Sequence, residues 1–114
     1  ETGKAKITKG YNLKARYVLH TPGPVWHGGT HGEPEKLAGC YRSCLELASQ
    51  YGCRTVDFPS ISTGVYGYPV DKAAAVALST IAAYLDGHPE IERVRMVCFD
   101  ARTRGAYEAA LAAL

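Results

Sequence analysis

Two short stretches near the start of the chain have the alternation of a β-strand. Residues 4–11 interleave small apolar residues with lysine and threonine, and residues 16–21 are rich in β-branched, aromatic and aliphatic residues. A period of two is typical of strands, and lysines along one side favour a place near a sheet edge. Residues 12–14 break the first pattern, and Pro-Gly-Pro at 22–24 ends the second. We therefore predict two strands and then a glycine-rich loop over residues 25–35.

Two longer stretches carry apolar residues every three or four positions, as one face of a helix requires. The first runs from about Glu35 to Tyr51 and the second from Pro69 to Leu85. Gly52 stands where a helix end favours a left-handed residue, and Gly87 with Pro89 ends the second helix. The apolar positions are Leu37, Cys40, Tyr41, Cys44, Leu45, Ala48 and Tyr51, then Val70, Ala74, Ala77, Leu78, Ile81, Ala82 and Leu85.

Residues 54–61 and 93–99 return to strand character, and Thr103 can cap a last helix. The packing face expected for that helix is Tyr107, Ala110, Leu111 and Leu114. Alternating strands and helices indicate an α/β fold with a largely parallel sheet and helices on its faces. Such sheets bind ligands at the carboxyl ends of their strands. The segments that follow the predicted strands are residues 20–22, 60–67 and 99–100.

The most informative stretch, Phe58–Asp71, connects a predicted strand to a predicted helix. Gly64 and Gly67 would let an anion approach the backbone without Cβ clashes, and Pro69 suits the first turn of the helix. The unpaired N–H groups and the dipole at a helix N-terminus attract phosphates. At this point two interpretations stay open, a phosphate-binding loop and an ordinary turn marked by glycine and proline.

Composition and charge limit the classes of protein to which the chain can belong. The chain has 114 residues, of which 46% are hydrophobic, and a net charge of +2. These values fit one globular domain and argue against a nucleic-acid partner, which usually needs a concentrated basic face. We see no apolar run of membrane-spanning length and no secretion signal, so we expect a cytoplasmic protein without a membrane partner.

Cysteine and histidine give no sign of a metal site. The spacing of the four cysteines fits neither a disulfide framework nor a zinc site, so we interpret them as reduced thiols. Cys40 and Cys44 share a helix face and are expected in the core. His27 and His31 have no carboxylate at helical spacing, so we expect neither a metal nor a cofactor. Trp26, in the same loop, is either a packing anchor or a ligand-facing ring, and we favour the anchor.

The motifs as a whole resemble the macro domain family, which binds ADP-ribose. The residues that carry the resemblance are Phe-Pro at 58–59 followed by Ile-Ser-Thr-Gly-Val-Tyr-Gly-Tyr-Pro at 61–69, Ala-Lys-Ile-Thr-Lys-Gly-Tyr at 5–11, Val-Leu-His-Thr-Pro-Gly-Pro-Val-Trp at 18–26 and Val-Cys-Phe-Asp at 97–100. The resemblance covers essentially the whole chain, and its loop motif is much more specific than a pair of glycines. It favours the phosphate-binding interpretation of the loop.

The resemblance implies roles for individual residues. The second phosphate loop of the family would wrap the diphosphate and the distal ribose, with Tyr66 closing over the ribose. Phe99 would lie against the adenine, although a core aromatic on a buried strand is an equal alternative. Asp100 would either contact the ligand or begin the next turn. The implied ligand-binding residues are Ser62, Thr63, Gly64, Val65, Tyr66, Gly67, Phe99 and Asp100.

The resemblance also implies that part of the family's domain is absent. Family members begin with strands and a helix that carry an Asn-Ala-Ala-Asn-like segment, a first glycine-rich loop and an acid that reads the adenine, and this chain begins after them. Residues 1–114 would be the C-terminal portion of a single macro domain, an incomplete three-layer α/β/α mixed sheet. The missing strand would lie between residues 16–21 and 54–61. We expect direct pairing across this gap, a swapped or edge-paired homodimer, or a partner segment that supplies the strand.

Three functions follow as hypotheses. In the first, the intact domain binds ADP-ribose and hydrolyses O-acetyl-ADP-ribose or mono-ADP-ribosyl esters, while this chain alone binds weakly and is inactive. The catalytic residues are then unknown and expected in the absent part, with Tyr66 able to position the ribose. The alternatives are a non-catalytic reader of ADP-ribose and a basic-faced nucleic-acid binder.

Overall fold

The computed structural model describes residues 1–10 and 14–114. The break expected at residues 12–14 therefore lies largely outside the described residues. Strands and helices alternate as predicted in the latter part of the chain, which confirms the α/β class. In chain order the elements are β1 (Lys6–Lys9), β2 (Tyr17–His20), α1 (Glu33–Gln50), β3 (Thr55–Pro59), α2 (Val70–Asp86), β4 (Arg93–Val97) and α3 (Ala101–Ala112).

The four strands form two separate small sheets. β1 and β2 pair antiparallel, and β3 and β4 pair parallel with Pro59 opposite Val97. Within the described residues no ladder joins β2 to β3. The incomplete mixed sheet that the resemblance implies is thus present as one antiparallel and one parallel pair with a gap between β2 and β3, and the option of direct pairing across that gap is wrong for these residues. Alternation in a sequence identifies each strand but carries no information about its neighbour.

Helix α1 supplies the largest share of the core among the described residues. Six of its seven predicted apolar positions are buried, whereas Tyr51 lies past the helix end and is 44% exposed. The ring of Tyr41 meets that of Phe58 edge to face at 4.9 Å, which joins α1 to β3. Gly52 has the left-handed φ of +74° that its place after the helix predicts. Burial of the thiols Cys40 and Cys44 confirms that they belong to the core.

Helix α2 packs against both α1 and α3. Its buried residues are three alanines and one isoleucine: Ala73, Ala74, Ala77 and Ile81. The face predicted for α3 is half right, because Tyr107 is buried and Ala110 packs against the core, whereas Leu111 and Leu114 are 62% and 63% exposed. In the described part of the chain, no helix is long and apolar enough to cross a membrane.

Candidate functional site

The loop between β3 and α2 is held in shape by its own backbone. The N–H of Gly67 donates to the carbonyl of Gly64 at 3.0 Å, and that of Tyr68 donates to the carbonyl of Ser62 at 3.0 Å. Gly67 has a φ of +74°, a conformation that side chains with a Cβ rarely adopt. Two nested turns therefore form at the carboxyl end of β3.

The tip of this loop is open to solvent. Val65 is fully exposed and Tyr66 is 42% exposed. A Cβ built on Gly64 would meet no atom within 4 Å among the described residues. The loop leads through Pro69 into α2, whose first turn has no side-chain cap in the described structure. Its first N–H groups and the positive end of its dipole are therefore available to an anion that approaches the loop.

A chain of hydrogen-bonded hydroxyl groups connects the start of the loop to α3. The Thr63 hydroxyl donates to the Ser60 Oγ at 2.8 Å, and Ser60 shares a hydrogen bond of 2.8 Å with the Tyr107 hydroxyl on α3. On the other side, the Ile61 N–H donates to the Tyr41 hydroxyl at 3.2 Å. Burial, and then the neighbouring Tyr107, raise the pKa of Tyr41 well above its usual value. Tyr41 therefore stays neutral and acts as a hydrogen-bonding support for the loop.

Ser62 is the strained residue of the loop. Its φ of +68° is the one positive value that the described residues show outside glycine. Its Oγ is buried and has no hydrogen-bond partner among the described residues. Gly23, just after β2, packs directly against this side chain, and a Cβ there would collide with it. The segments after β2 and after β3 thus meet, as their positions after predicted strands suggested.

Trp26 connects the loop that precedes α1 to the loop between β3 and α2, which is the candidate phosphate-binding loop. Its backbone N–H donates to the carbonyl of Tyr66 at 2.9 Å, and the centre of its ring lies 4.6 Å from that of Tyr68. The Lys72 ammonium is 5.6 Å from the centre of the Trp26 ring. Trp26 is therefore a packing anchor, as we favoured from the sequence, and it anchors the candidate site itself.

Glu33 is a site residue that the sequence analysis missed. Its side chain is 2% exposed, and its carboxylate accepts the N–H groups of His27, Gly29 and His31 at 2.7, 3.0 and 2.7 Å. Burial alone raises the pKa of Glu33, but these bonds and its own N–H outweigh burial and lower the pKa to about 2. The charged carboxylate therefore folds the loop that carries Trp26.

Phe99 and Asp100 follow β4, beside the loop that follows β3. Phe99 is 90% exposed and lies beyond the end of the strand, so it is not a core aromatic. Asp100 is the N-cap of α3 and accepts the N–H of Thr103 at 2.7 Å. That hydrogen bond is the first cause that lowers the pKa of Asp100. The cap predicted at Thr103 is therefore wrong by three residues.

His27 and His31 lie in the loop that precedes α1, and their backbone N–H groups donate to the Glu33 carboxylate. The rings of His27 and His31 lie 5.9 Å apart. Across residues 1–10 and 14–114, no group of three or more histidine, cysteine or acidic side chains could hold a metal ion. Burial, and then Cys40, raise the pKa of Cys44 to about 12, so this thiol is not a nucleophile at neutral pH.

A glycine loop at the carboxyl end of a parallel strand, open above a helix N-terminus, is an arrangement typical of α/β proteins that bind anions. A model of the macro domain family matches residues 1–77. The chain belongs to the macro domain family, as the resemblance indicated.

Three relatives give the scale of the likeness. A macro domain-containing protein of Chlorobaculum tepidum is 58% identical over 112 residues, which cover 98% of this chain and 65% of that protein. An O-acetyl-ADP-ribose deacetylase of Klebsiella pneumoniae is 47% identical over 110 residues, covering 96% and 63%. The macrodomain of Oceanobacillus iheyensis, solved with ADP, superposes with a TM-score of 0.94 at 42% identity, covering 99% and 59%. The chain thus spans somewhat less than two thirds of these relatives.

Proposed function

We propose that this chain carries part of an ADP-ribose site, with residues 62–67 around the diphosphate and distal ribose. Tyr66 covers the distal ribose, and Phe99 forms a wall for the adenine. The likeness to a deacetylase of O-acetyl-ADP-ribose and to a macrodomain solved with ADP supports this ligand. We also propose that residues 1–114 are the C-terminal portion of one macro domain.

The observation that carries the proposal is the loop after β3. It is open at Gly64 and Val65, and it is held from below by the hydroxyl chain of Thr63, Ser60 and Tyr107. A loop that is already ordered at its base and open at its tip can bind a diphosphate with a small entropy cost for ordering the loop. A tip that served only as a turn would gain nothing from this support.

The exposed ring of Phe99 supports the adenine end of the site. Because β3 and β4 are parallel and end opposite each other, Phe99 leaves the sheet at the same edge as the loop. Base–aromatic stacking contributes about 1–3 kcal/mol per base in single-stranded nucleic-acid sites. An aromatic that is 90% exposed in the described structure has this surface available. Asp100 caps α3, so we propose that it contributes less to the affinity for the ligand than Phe99 does.

The chemistry of the whole domain is hydrolysis of O-acetyl-ADP-ribose or of mono-ADP-ribosyl esters. Water attacks the acyl carbon of the ester carried by the distal ribose, the bond from that carbon to the ribose oxygen breaks, and the free acid leaves while the ribose oxygen takes up the proton. The diphosphate held by residues 64–67 helps to position that water. Among the described residues, the hydrogen bonds of Cys40 and Cys98 go to backbone carbonyls, so neither is paired with a base. We place the catalytic groups in family sequence outside residues 1–114. The 114-residue chain should therefore bind weakly and not turn over.

Calorimetry with ADP-ribose tests the binding proposal. Titration to millimolar ligand should give heat, and Gly64→Val should lower the affinity by about tenfold, or about 1.4 kcal/mol, because a side chain there blocks the phosphate. Gly64 lacks a positive φ and has open space around it, so the thermal midpoint should hardly change. Gly87→Val, at the other end of α2 and equally open, is the matched control and should keep full affinity.

Two outcomes would contradict the proposal. One is the absence of heat at millimolar ADP-ribose together with salt-sensitive RNA binding, which would favour the nucleic-acid function. The other is an equal loss of affinity in Gly64→Val and Gly87→Val. A full-length family member separates enzyme from reader, since failure to cleave O-acetyl-ADP-ribose and an ADP-ribosylated protein would leave the reader. Appreciable turnover by the 114-residue chain would show that the catalytic groups are misplaced.

A further inference from the structure

Two phenol hydroxyls hold the chain at the point where β3 becomes the loop. The Tyr41 hydroxyl of α1 donates to the carbonyl of Pro59 at 3.4 Å and accepts the N–H of Ile61 at 3.2 Å. The Tyr107 hydroxyl of α3 bonds to the Oγ of Ser60 at 2.8 Å. Three consecutive residues, 59–61, are therefore each bonded to a tyrosine, and the two tyrosines come from different helices.

The hydroxyl of Tyr107 has a cost that its ring does not have. Tyr107 is 5% exposed, and a buried hydroxyl is unfavourable unless it finds a partner. A phenylalanine would fill nearly the same volume without that requirement. The partner that Tyr107 has found is a side chain of the loop base, so its hydroxyl contributes an orientation that packing alone does not give.

The contact continues from Ser60 toward the tip of the loop. The Thr63 hydroxyl donates to the Oγ of Ser60 at 2.8 Å and lies 3.2 Å from the Ser60 carbonyl. Thr63 directly precedes Gly64. Two hydrogen bonds therefore lead from Tyr107 to the residue before the open tip, and a displacement of Ser60 would also displace Thr63.

A second tyrosine–serine pair offers a comparison within the same chain. The Tyr84 hydroxyl of α2 bonds to the Oγ of Ser49 on α1, also at 2.8 Å and also partly buried. Tyr84 lies near the end of α2 that is farther from the loop. The two pairs are alike in chemistry and distance, but only the pair of Tyr107 and Ser60 includes a residue of the segment between β3 and α2.

We propose that Tyr107 is a positioning residue for the diphosphate loop, a role that rests on the proposed function. It acts through Ser60 and Thr63 and not by contact with the ligand. Its hydroxyl keeps the base of the loop in the arrangement that leaves residues 64–67 open to a diphosphate. Loss of the hydroxyl would leave the base less ordered, and ligand binding would then carry the entropy cost of ordering it.

The test uses Tyr107→Phe in the 114-residue chain, which keeps the ring and removes the hydroxyl. Calorimetry should show an affinity for ADP-ribose that is about fivefold lower, the size expected for one hydrogen bond. The amide of Tyr68, which closes the loop by donating to the Ser62 carbonyl at 3.0 Å, should exchange about fivefold faster. Ser60→Ala breaks the same connection without altering α3 and should have both effects.

Tyr84→Phe is the matched control, because it removes the same group from a bond of the same length. It should lower the thermal midpoint about as much as Tyr107→Phe does. Its affinity for ADP-ribose and its exchange at Tyr68 should stay close to those of the unaltered chain. This comparison separates a role at the loop from a general loss of stability.

Two outcomes would overturn the proposal. One is an equal change of affinity, or of exchange at Tyr68, in Tyr107→Phe and Tyr84→Phe, which would make the hydroxyl a part of the fold alone. The other is unchanged affinity and exchange in both Tyr107→Phe and Ser60→Ala. Absence of heat from the unaltered chain would instead contradict the proposed function, and exchange at Tyr68 would still decide whether Tyr107 orders the loop.

Discussion

At the scale of single residues, Glu33 shows how one buried charge can order a loop. Three N–H groups from residues 27–31 converge on its carboxylate, and the chain between them carries Trp26 to the ring of Tyr68. A carboxylate that accepts several N–H groups is held charged even when it is buried. The anchoring loop and the candidate site therefore share one electrostatic support.

We predict that acid releases this loop. The pKa of Glu33 falls from 4.5 to about 2 on folding, so its contribution to stability is complete above pH 4.5 and is lost as the pH falls toward 2. Trp26 is the one tryptophan in the chain, and its fluorescence reports the loop directly. The emission should change between pH 4.5 and 2. In Glu33→Gln it should already be changed at neutral pH, because an amide places N–H donors among N–H donors.

Glu35→Gln is the matched control, since Glu35 lies in the same first turn and is exposed. It should keep the emission and the acid transition of the unaltered chain. An identical shift in both variants, or constant emission down to pH 2, would contradict the role of Glu33. The sequence could not indicate this role, because an acid in the first turn of a helix is common and the partners of Glu33 are backbone groups of a loop.

At the scale of elements, α3 is held both by its cap and by its packing face. Tyr107 is its one buried residue, and through Ser60 that tyrosine supports the candidate loop. We predict that Asp100→Ala destabilises the chain by about 1 kcal/mol, because the N–H of Thr103 loses its acceptor. The thermal midpoint and the helical circular dichroism signal should both fall.

Asp100→Asn separates the cap from a ligand role, since asparagine caps helices as well as aspartate does. It should keep the thermal midpoint of the unaltered chain. A loss as large as that of Asp100→Ala would contradict the capping account. If Asp100→Asn kept its stability but lost affinity for ADP-ribose, the carboxylate would belong to the ligand site.

The spacing of apolar residues predicted the helices and strands, but it did not predict every buried face or the pairing of the strands. The long repeat of α1 predicted six buried positions correctly, because 18 residues sample the helix face many times. The short α3 offered fewer turns, and its last two leucines are exposed at the helix end. Gly64 and Gly67 were found as a pair, yet only Gly67 has a positive φ, a distinction that composition does not carry. The sequence pattern likewise does not indicate that β1 pairs with β2 and β3 with β4.

At the scale of the whole molecule, the two sheets differ in how deeply they are built into the core. β3 alternates exposed and buried residues, with Val56 and Phe58 7% and 4% exposed, whereas β1 and β2 contain no buried residue. β1 and β2 each have few contacts with α1, and no ladder in the described structure joins them to β3. The antiparallel pair can therefore open while the helices and the parallel pair stay folded.

We predict that native-state hydrogen exchange resolves these two units. The bonded amide of Val18 should exchange at least about tenfold faster than those of Val56 and Phe58, a difference of about 1.4 kcal/mol in opening free energy. The buried amide of Leu45 in α1 serves as the reference and should match the β3 amides. Low concentrations of denaturant should leave the exchange of Val18 unchanged, because its opening exposes little surface, and should accelerate that of Leu45. Equal protection at Val18 and Leu45 would mean instead that the antiparallel pair and the core unfold together, although no ladder in the described structure joins the two sheets.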